Sequence, residues 1–342
     1  MEGGKEAMEQ ADIVVFGGGS FATALAYVLS KNHHTVTLLT RNEAVAQSIN
    51  EQHRNPKYLS AFTLPPNVRA STRAEDVVPQ ARYIVHAVPV QASREYLQRL
   101  APLIAPDTPI ISSSKGLHTE SLRYMSDIVP EALGRNQPMA FISGPSFAKE
   151  LMQDVPTAVV VASVDSVTRE RVQRLFASPS FRVYTTDDVV GVEIGGALKN
   201  VFAIAAGMSE GLGLGTNTLA ALVTRGCSEM TRLAVKMGAR PDTVSGLSGI
   251  GDLMLTCFGS LSRNRTVGKR LGSGESLESI LATMEEVAEG VATTPAACKL
   301  AEQYGLDLPI IKAVAAILRG DLQAREAVLH LMTLPLSDEK TW

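Results

Sequence analysis

At 342 residues, with 45% hydrophobic and 20% charged residues, the chain has the composition of a globular protein and the length for two domains of ordinary size. A formal net charge of −3 and a pI near 6.1 exclude a generalised nucleic-acid or anionic-membrane surface and leave any anionic ligand to a local basic pocket. Cys227, Cys257 and Cys298 are scattered and the 6 histidines add no ligand spacing, so the cysteines read as reduced packing residues and no metal site is expected.

Residues 1–10 are polar and partly acidic, lack an apolar signal core, and read as a frayed tail. No apolar run approaches a membrane-spanning length of about 18 residues, so no membrane span and a cytoplasmic location are expected. Residues 12–16 then form a β-branched strand, 21–29 a helical pattern and 35–39 a second strand, which together make a βαβ unit. Further strands are predicted at 83–88, 109–113, 139–143 and 157–162, with a helix over 92–104. Such alternation predicts an α/β fold whose doubly wound parallel sheet is covered on both faces.

From about Asp187 helical periodicities follow one another without strands, at 192–208, 217–237, 276–284, 294–304, 310–318 and 324–332. Glycine-rich or proline-containing breaks at 211–215, 246–251, 272–274 and 308–309 separate them. The expected division is therefore a Rossmann-type N-terminal domain over 11–188 and an all-helical domain over 189–335.

After the first strand comes Gly17-Gly18-Gly19-Ser20-Phe21-Ala22, which fits G-x-G-x-x-G/A. Gly17 suits the tight turn, Gly19 the close approach of a pyrophosphate, and Ala22 the contact of helix with sheet. The helix N-terminus adds N–H groups and partial positive charge. A glycine-rich turn that binds nothing is the bland alternative, but placement inside a βαβ unit favours a dinucleotide. NAD-selective sites end the second strand in a carboxylate, whereas this chain has Leu39-Thr40-Arg41-Asn42. Arg41 can meet a 2′-phosphate, so NADP(H) is favoured, with NAD(H) as the alternative and a plain surface arginine as the competing reading. The strand end His86-Ala87-Val88-Pro89 is the next expected wall of this site.

One residue in the second half stands out. Between 192 and 208 only Glu193, Lys199 and Asn200 are polar, and Gly195, Gly196, Ala203 and Ala206 line the Lys199 side of the helix. A buried ammonium releases its proton more easily, and small neighbours let backbone or ligand approach, so Lys199 is a candidate general acid or base. A lysine reaching out to the surface is the alternative. Three further segments gather small, polar and cationic residues: 112–117 with Lys115-Gly116, 143–150, and 249–252 leading to 262–265.

In order and spacing, Lys115-Gly116, S-G-P-S-F-A-K-E, V-E-I-G-G-A-L-K-N, T-R-G, G-I-G-D-L-x-L-T-C and S-R-N-R resemble the NAD(P)-dependent glycerol-3-phosphate dehydrogenases of the bacterial type, over nearly the whole chain. The resemblance implies reversible NAD(P)H-dependent reduction of dihydroxyacetone phosphate to sn-glycerol 3-phosphate, a supply for glycerophospholipid synthesis, and a homodimer. It implies Lys199 as proton donor and acceptor at the C2 oxygen, Lys115 as a group that holds and polarises that oxygen, and Asp252 as the residue that orients Lys199 or a substrate hydroxyl. It places Gly144, Ser146, Asn200 and Thr256 at the substrate, with Ser262, Arg263 and Asn264 at its phosphate. Ser20, Phe21, Arg41, Lys115, Ala148, Arg263, Val287 and Glu289 match cofactor-contacting positions. The active site is expected where the sheet edge meets the helical half.

Each assignment has a plainer rival. Asp252 could cap a helix, Ser262 to Arg265 could be a solvated helix start, and Gly144-Pro145 could be a bare turn; Lys149-Glu150 reads as a solvated pair. Departures from the family pattern are Phe21, Ala22 and Asn32-His33-His34, and none falls on a proposed catalytic position. Competing functions are a β-hydroxyacid or 6-phosphogluconate type dehydrogenase, disfavoured by Lys115-Gly116 and the phosphate segment, and a non-catalytic NADPH sensor, disfavoured by the presence of both Lys199 and Asp252.

Overall fold

A computed structural model describes residues 10–284, 287–336 and 338; apart from Gln10, the expected frayed tail lies outside the described residues. The chain forms two compact units. The first holds residues 1–114, 125–142 and 146–187, and the second holds 115–124, 143–145 and 188–342. Lys115, Gly144 and the helical half therefore belong to one unit, although the chain visits the sheet between them.

The sheet has eight strands: β1 (Asp12–Phe16), β2 (Thr35–Leu39), β3 (Val68–Ser71), β4 (Tyr83–His86), β5 (Ile110–Ser112), β6 (Met139–Ser143), β7 (Thr157–Ala162) and β8 (Phe181–Thr186). Their order is β3-β2-β1-β4-β5-β6-β7-β8, and β1 runs parallel to both β2 and β4. The order reverses beside β1, the place where doubly wound sheets bind ligands. Strand β3 lies at the sheet edge, where the Asn50 amide satisfies both the N–H and the C=O of Ala70 at 2.9 Å.

The second unit is built on the helix Val189–Gly211, buried along most of its length. It is long and apolar enough to cross a membrane, which corrects the expectation that no such run exists, but 89% of its apolar window is buried inside the protein. Glycines let neighbours reach its backbone. A Cβ on Gly268 would stand 1.9 Å from the Ile204 carbonyl oxygen, and one on Gly195 would stand 2.5 Å from that of Ser248.

Helix Pro309–Arg319 begins at Leu308, which offers no capping side chain. Glu229, on helix Thr216–Lys236, supplies the cap from a distance: its two carboxylate oxygens accept from Ile310 N at 2.7 Å and Ile311 N at 3.2 Å. Burial pushes this carboxyl up to about 7, against the opposing pull of those N–H groups and of Arg232 and Arg225. The folded value exceeds the ordinary 4.5, so stability from this group is fully present below 4.5 and is lost as pH rises through 7. Glu229→Ala is expected to cost about 2–3 kcal/mol by stranding two buried donors. Glu229→Gln should flatten the decline in melting temperature between acid and weakly basic pH; parallel curves for it and the parent chain would refute the assignment.

Candidate active site

The first unit builds the glycine-rich turn between β1 and helix Ser20–Lys31. Gly17, at φ +112°, occupies backbone space that an L side chain rarely adopts, and a Cβ there would meet the Ala87 carbonyl oxygen at 3.0 Å. Gly18 is confined in the same way by Thr40, whose Oγ1 would lie 2.8 Å from a Cβ. Gly19 is the N-cap of helix Ser20–Lys31 and contributes no capping side chain, so nothing bulky stands at the helix mouth. Ser20 and Phe21 are partly exposed there, Ala22 is buried, and Arg41 is exposed just past the end of β2. Ser146 and Ala148 also fall in this unit, both partly exposed, with Ala148 opening the short helix Ala148–Leu151.

His86, at the end of β4, is fully buried and pushed down to about 3 by that burial, so its ring is neutral. Its Nε2 lies 2.8 Å from Ser93 Oγ, and Ser93 Oγ also donates to Pro89 O at 3.0 Å. The expected wall His86 to Pro89 is thus tied down from behind by a neutral imidazole and a hydroxyl. Ser93 went unnoticed in the sequence because nothing local links it to His86.

The second unit builds a charge cluster. Lys199 is only 8% exposed, so it does not reach out to the surface. Its Nζ lies 2.5 Å from Asp252 Oδ1, while Lys115 Nζ lies 2.6 Å from Asp252 Oδ2 and 3.3 Å from Gly144 O. One fully buried carboxylate therefore bridges two ammonium groups, giving the cluster a net charge of about +1. Burial pulls the Lys199 amine down to about 8; Asp252 resists that fall and Lys115 adds to it. Burial alone would raise Asp252, but the two lysines outweigh it and hold the carboxyl below its ordinary value.

Asp252 does not cap a helix. It is the first residue of helix Asp252–Phe258, directly after a π-turn at Leu247–Gly251, and its side chain is turned to the lysines. Such turns recur at functional sites. This one lets the chain pass close to the Lys199 helix, because Gly195 leaves room for Ser248 O. Thr256 Oγ1 donates back to Asp252 O at 2.5 Å and so steadies the first turn.

Ser262, in contrast, does cap a helix. Its side chain accepts from Arg265 N at 3.2 Å at the start of Arg263–Gly272, so this segment is a capped helix start. Arg263 is exposed on the first turn, and the neighbouring Asn264 is buried with its Oδ1 accepting from Gly290 N at 2.9 Å. Gly290 in turn packs on the Asn200 carbonyl, where a Cβ would come within 2.6 Å. Helix Glu289–Gln303 thereby starts against both Asn200 and Asn264. Glu289 itself is pushed up to about 7 by burial, against Arg263, Lys199 and Lys115, while Val287 lies exposed.

Comparison with known proteins places this geometry. Family models described as the N-terminus and the C-terminus of NAD-dependent glycerol-3-phosphate dehydrogenase match residues 12–168 and 188–329. A glycerol-3-phosphate dehydrogenase named for NAD(P)+ from Leptospira biflexa is 49% identical over 96% of this chain and 99% of its own length. The chain belongs to the NAD-dependent glycerol-3-phosphate dehydrogenase family. A chloroplastic NAD(+) member from Arabidopsis thaliana is 53% identical, covering 96% of this chain and 79% of that protein. The crystal structure of the Coxiella burnetii glycerol-3-phosphate dehydrogenase superposes with a TM-score of 0.90 at 36% identity, covering 95% of this chain and 99% of that one.

Membership makes the chain an NAD(P)-dependent oxidoreductase. The second unit holds a buried carboxylate between two lysines, and the first holds an exposed arginine just past β2. Buried hydroxyls at Ser143 and Ser248 have no protein partner among the described residues. Ser143 Oγ lies near the Lys115 stem, since both would touch a Cβ on Gly196 at 3.1 and 3.4 Å.

Proposed function

We propose that this dehydrogenase reduces dihydroxyacetone phosphate reversibly to sn-glycerol 3-phosphate with NADP(H), and with NAD(H) as second choice. The observation that carries the reading is the Lys199–Asp252–Lys115 cluster. The glycine cradle at Gly17 and Gly18 and the open helix start at Gly19 fit a dinucleotide pyrophosphate. When bound, the reduced nicotinamide supplies hydride chemistry. Lys199 then delivers a proton to the C2 oxygen as negative charge develops there, and Lys115 stabilises that charge from the other arm of Asp252. Asp252 holds both amines in place and keeps Lys199 protonated near neutral pH. Ser262, Arg263 and Asn264, at a helix N-terminus, suit a phosphate, where a guanidinium fork and aligned N–H groups favour an anion. Gly144 and Ser146 belong to the same reading as substrate neighbours, and Ala148, Val287 and Glu289 as cofactor neighbours.

The deciding assay is oxidation of NADPH, and in parallel NADH, by the purified protein with dihydroxyacetone phosphate, followed by absorbance. Turnover with NADPH preferred is the expected result. Silence from a folded protein that binds NADPH would remove this substrate. The pH profile is a second check: reduction requires the protonated amine and should fall as pH rises through about 8, while oxidation requires the neutral amine and should rise through the same value. The implied supply of glycerophospholipid precursors is tested in a strain that needs glycerol 3-phosphate for growth, where failure by an active enzyme removes it. A homodimer is part of the same reading, and light scattering near the 36.5 kDa of one chain would remove that.

A further inference from the structure

We infer that Arg73 is a second specificity residue for the cofactor, which joins Arg41 in gripping the 2′-phosphate of NADP(H). The inference rests on the dinucleotide reading above and goes beyond it, since sequence reasoning assigned that role to Arg41 alone.

Strands β2 and β3 run parallel, and Leu39 and Ser71 are their last register pair. The chains stay together one residue longer, because Thr40 N donates to Ser71 O at 3.0 Å. Arg41 and Arg73 thus occupy equivalent positions, each two residues past that pair and both exposed. Neighbouring strands lie about 4.8 Å apart, a spacing at which two guanidinium groups can share one phosphate. The backbone of the β3 turn is fixed rather than loose: Arg73 N donates to Ser71 Oγ at 3.0 Å, and Thr72 Oγ1 donates to Glu43 Oε2 at 2.6 Å.

The charge arrangement favours this assignment. Arg73 Nε lies 3.0 Å from Asp76 Oδ2, but the two side chains are 74% and 51% exposed, and such surface pairs contribute about 0–1 kcal/mol. A phosphate dianion carries more charge than that carboxylate and offers the fork the same bidentate geometry, so it can displace it. Two further acids stand at this corner: Glu75, beside Asp76 in the first turn of the short helix Ala74–Val77, and Glu43, in the first turn of helix Glu43–Gln52, whose Oε2 is engaged by Thr72. An NADH ribose has no group that needs either arginine, so the effect must separate the two cofactors.

The test is equilibrium binding of NADPH, NADH, 2′,5′-ADP and 5′-AMP by calorimetry, on the full chain and on Arg73→Ala and Arg73→Glu. We expect Arg73→Ala to weaken NADPH and 2′,5′-ADP about 10-fold, and Arg73→Glu more, with NADH and 5′-AMP within about twofold, as for loss of one charge-assisted fork. NADPH affinity unchanged in both variants, or NADH weakened in the same proportion, overturns the assignment. A parent chain that binds 5′-AMP as tightly as 2′,5′-ADP also overturns it while leaving an NADH-dependent dehydrogenase standing. A parent chain that binds neither dinucleotide instead removes the proposed function itself.

Discussion

Lys199→Met is expected to lower kcat for ketone reduction roughly 10²–10⁴-fold, the range supplied by a positioned general acid. Methionine matches the length of the lysine stem and fills the same space beside Gly195 and Gly196. The substitution removes the proton and little of the packing. Asp252 keeps Lys115 as its ion-pair partner, so no buried charge is left alone. NADPH affinity should stay within about twofold, because the dinucleotide turn is built by Gly17, Gly18 and Gly19 in the other unit. Fluorescence titration of NADPH, together with single-turnover kinetics, separates the two effects. Loss of cofactor binding in this variant would make Lys199 a structural residue, and near-normal single-turnover rates would transfer the proton to another group.

The lysine was legible because an ammonium among small residues on an apolar helix has few places to go; its partner Asp252 came only through the family resemblance. Asp252 is 53 residues from Lys199 and 137 from Lys115 in sequence, and no periodicity reports a contact of that range. The π-turn that delivers it looked like a glycine-rich break, since a widened turn leaves no hydrophobic pattern of its own. Helix Arg263–Gly272 was legible only as a helix start at Ser262 to Arg265, and its extent was missed for a related reason. Its residues are mostly polar, and Gly268 and Gly272 look like helix breakers, whereas they are close-contact points against Ile204 and Met208. The helix that contains Pro295 was read too short. The periodicity put the helix at 294, but the helix begins at Glu289 and tolerates the proline in its second turn.

Among the strands, β1, β2, β6 and β7 stand where the sequence put them, because buried β-branched runs give a strong signal. Strand β3 has only four residues and β8 alternates buried with exposed positions, Arg182 and Tyr184 facing out. Both lie at the ends of the sheet order, and edge strands lose the second buried face that makes an inner strand easy to read. The overlooked β3 is also the strand that aligns Arg73 with Arg41, so the missing strand concealed a candidate specificity residue.

Asp252→Ala is expected to cost about 3–5 kcal/mol of folding stability, the penalty for breaking a buried ion pair from one side. Two ammonium groups would then share a pocket without a counter-ion, and one of them would shed its proton or leave the site. Asp252→Asn separates charge from shape. It keeps a polar group at the same place but removes the attraction that holds the Lys199 proton, so the amine should fall below its present value of about 8. With less ammonium at neutral pH, the fall in reduction rate should begin at lower pH than in the parent enzyme, and the matching rise in oxidation should move with it. Chemical denaturation of Asp252→Ala and pH–rate profiles of Asp252→Asn measure the two consequences independently. An Asn variant whose profile coincides with that of the parent would show that Asp252 orients the lysines without setting the protonation of Lys199, and the cluster would then act by geometry alone.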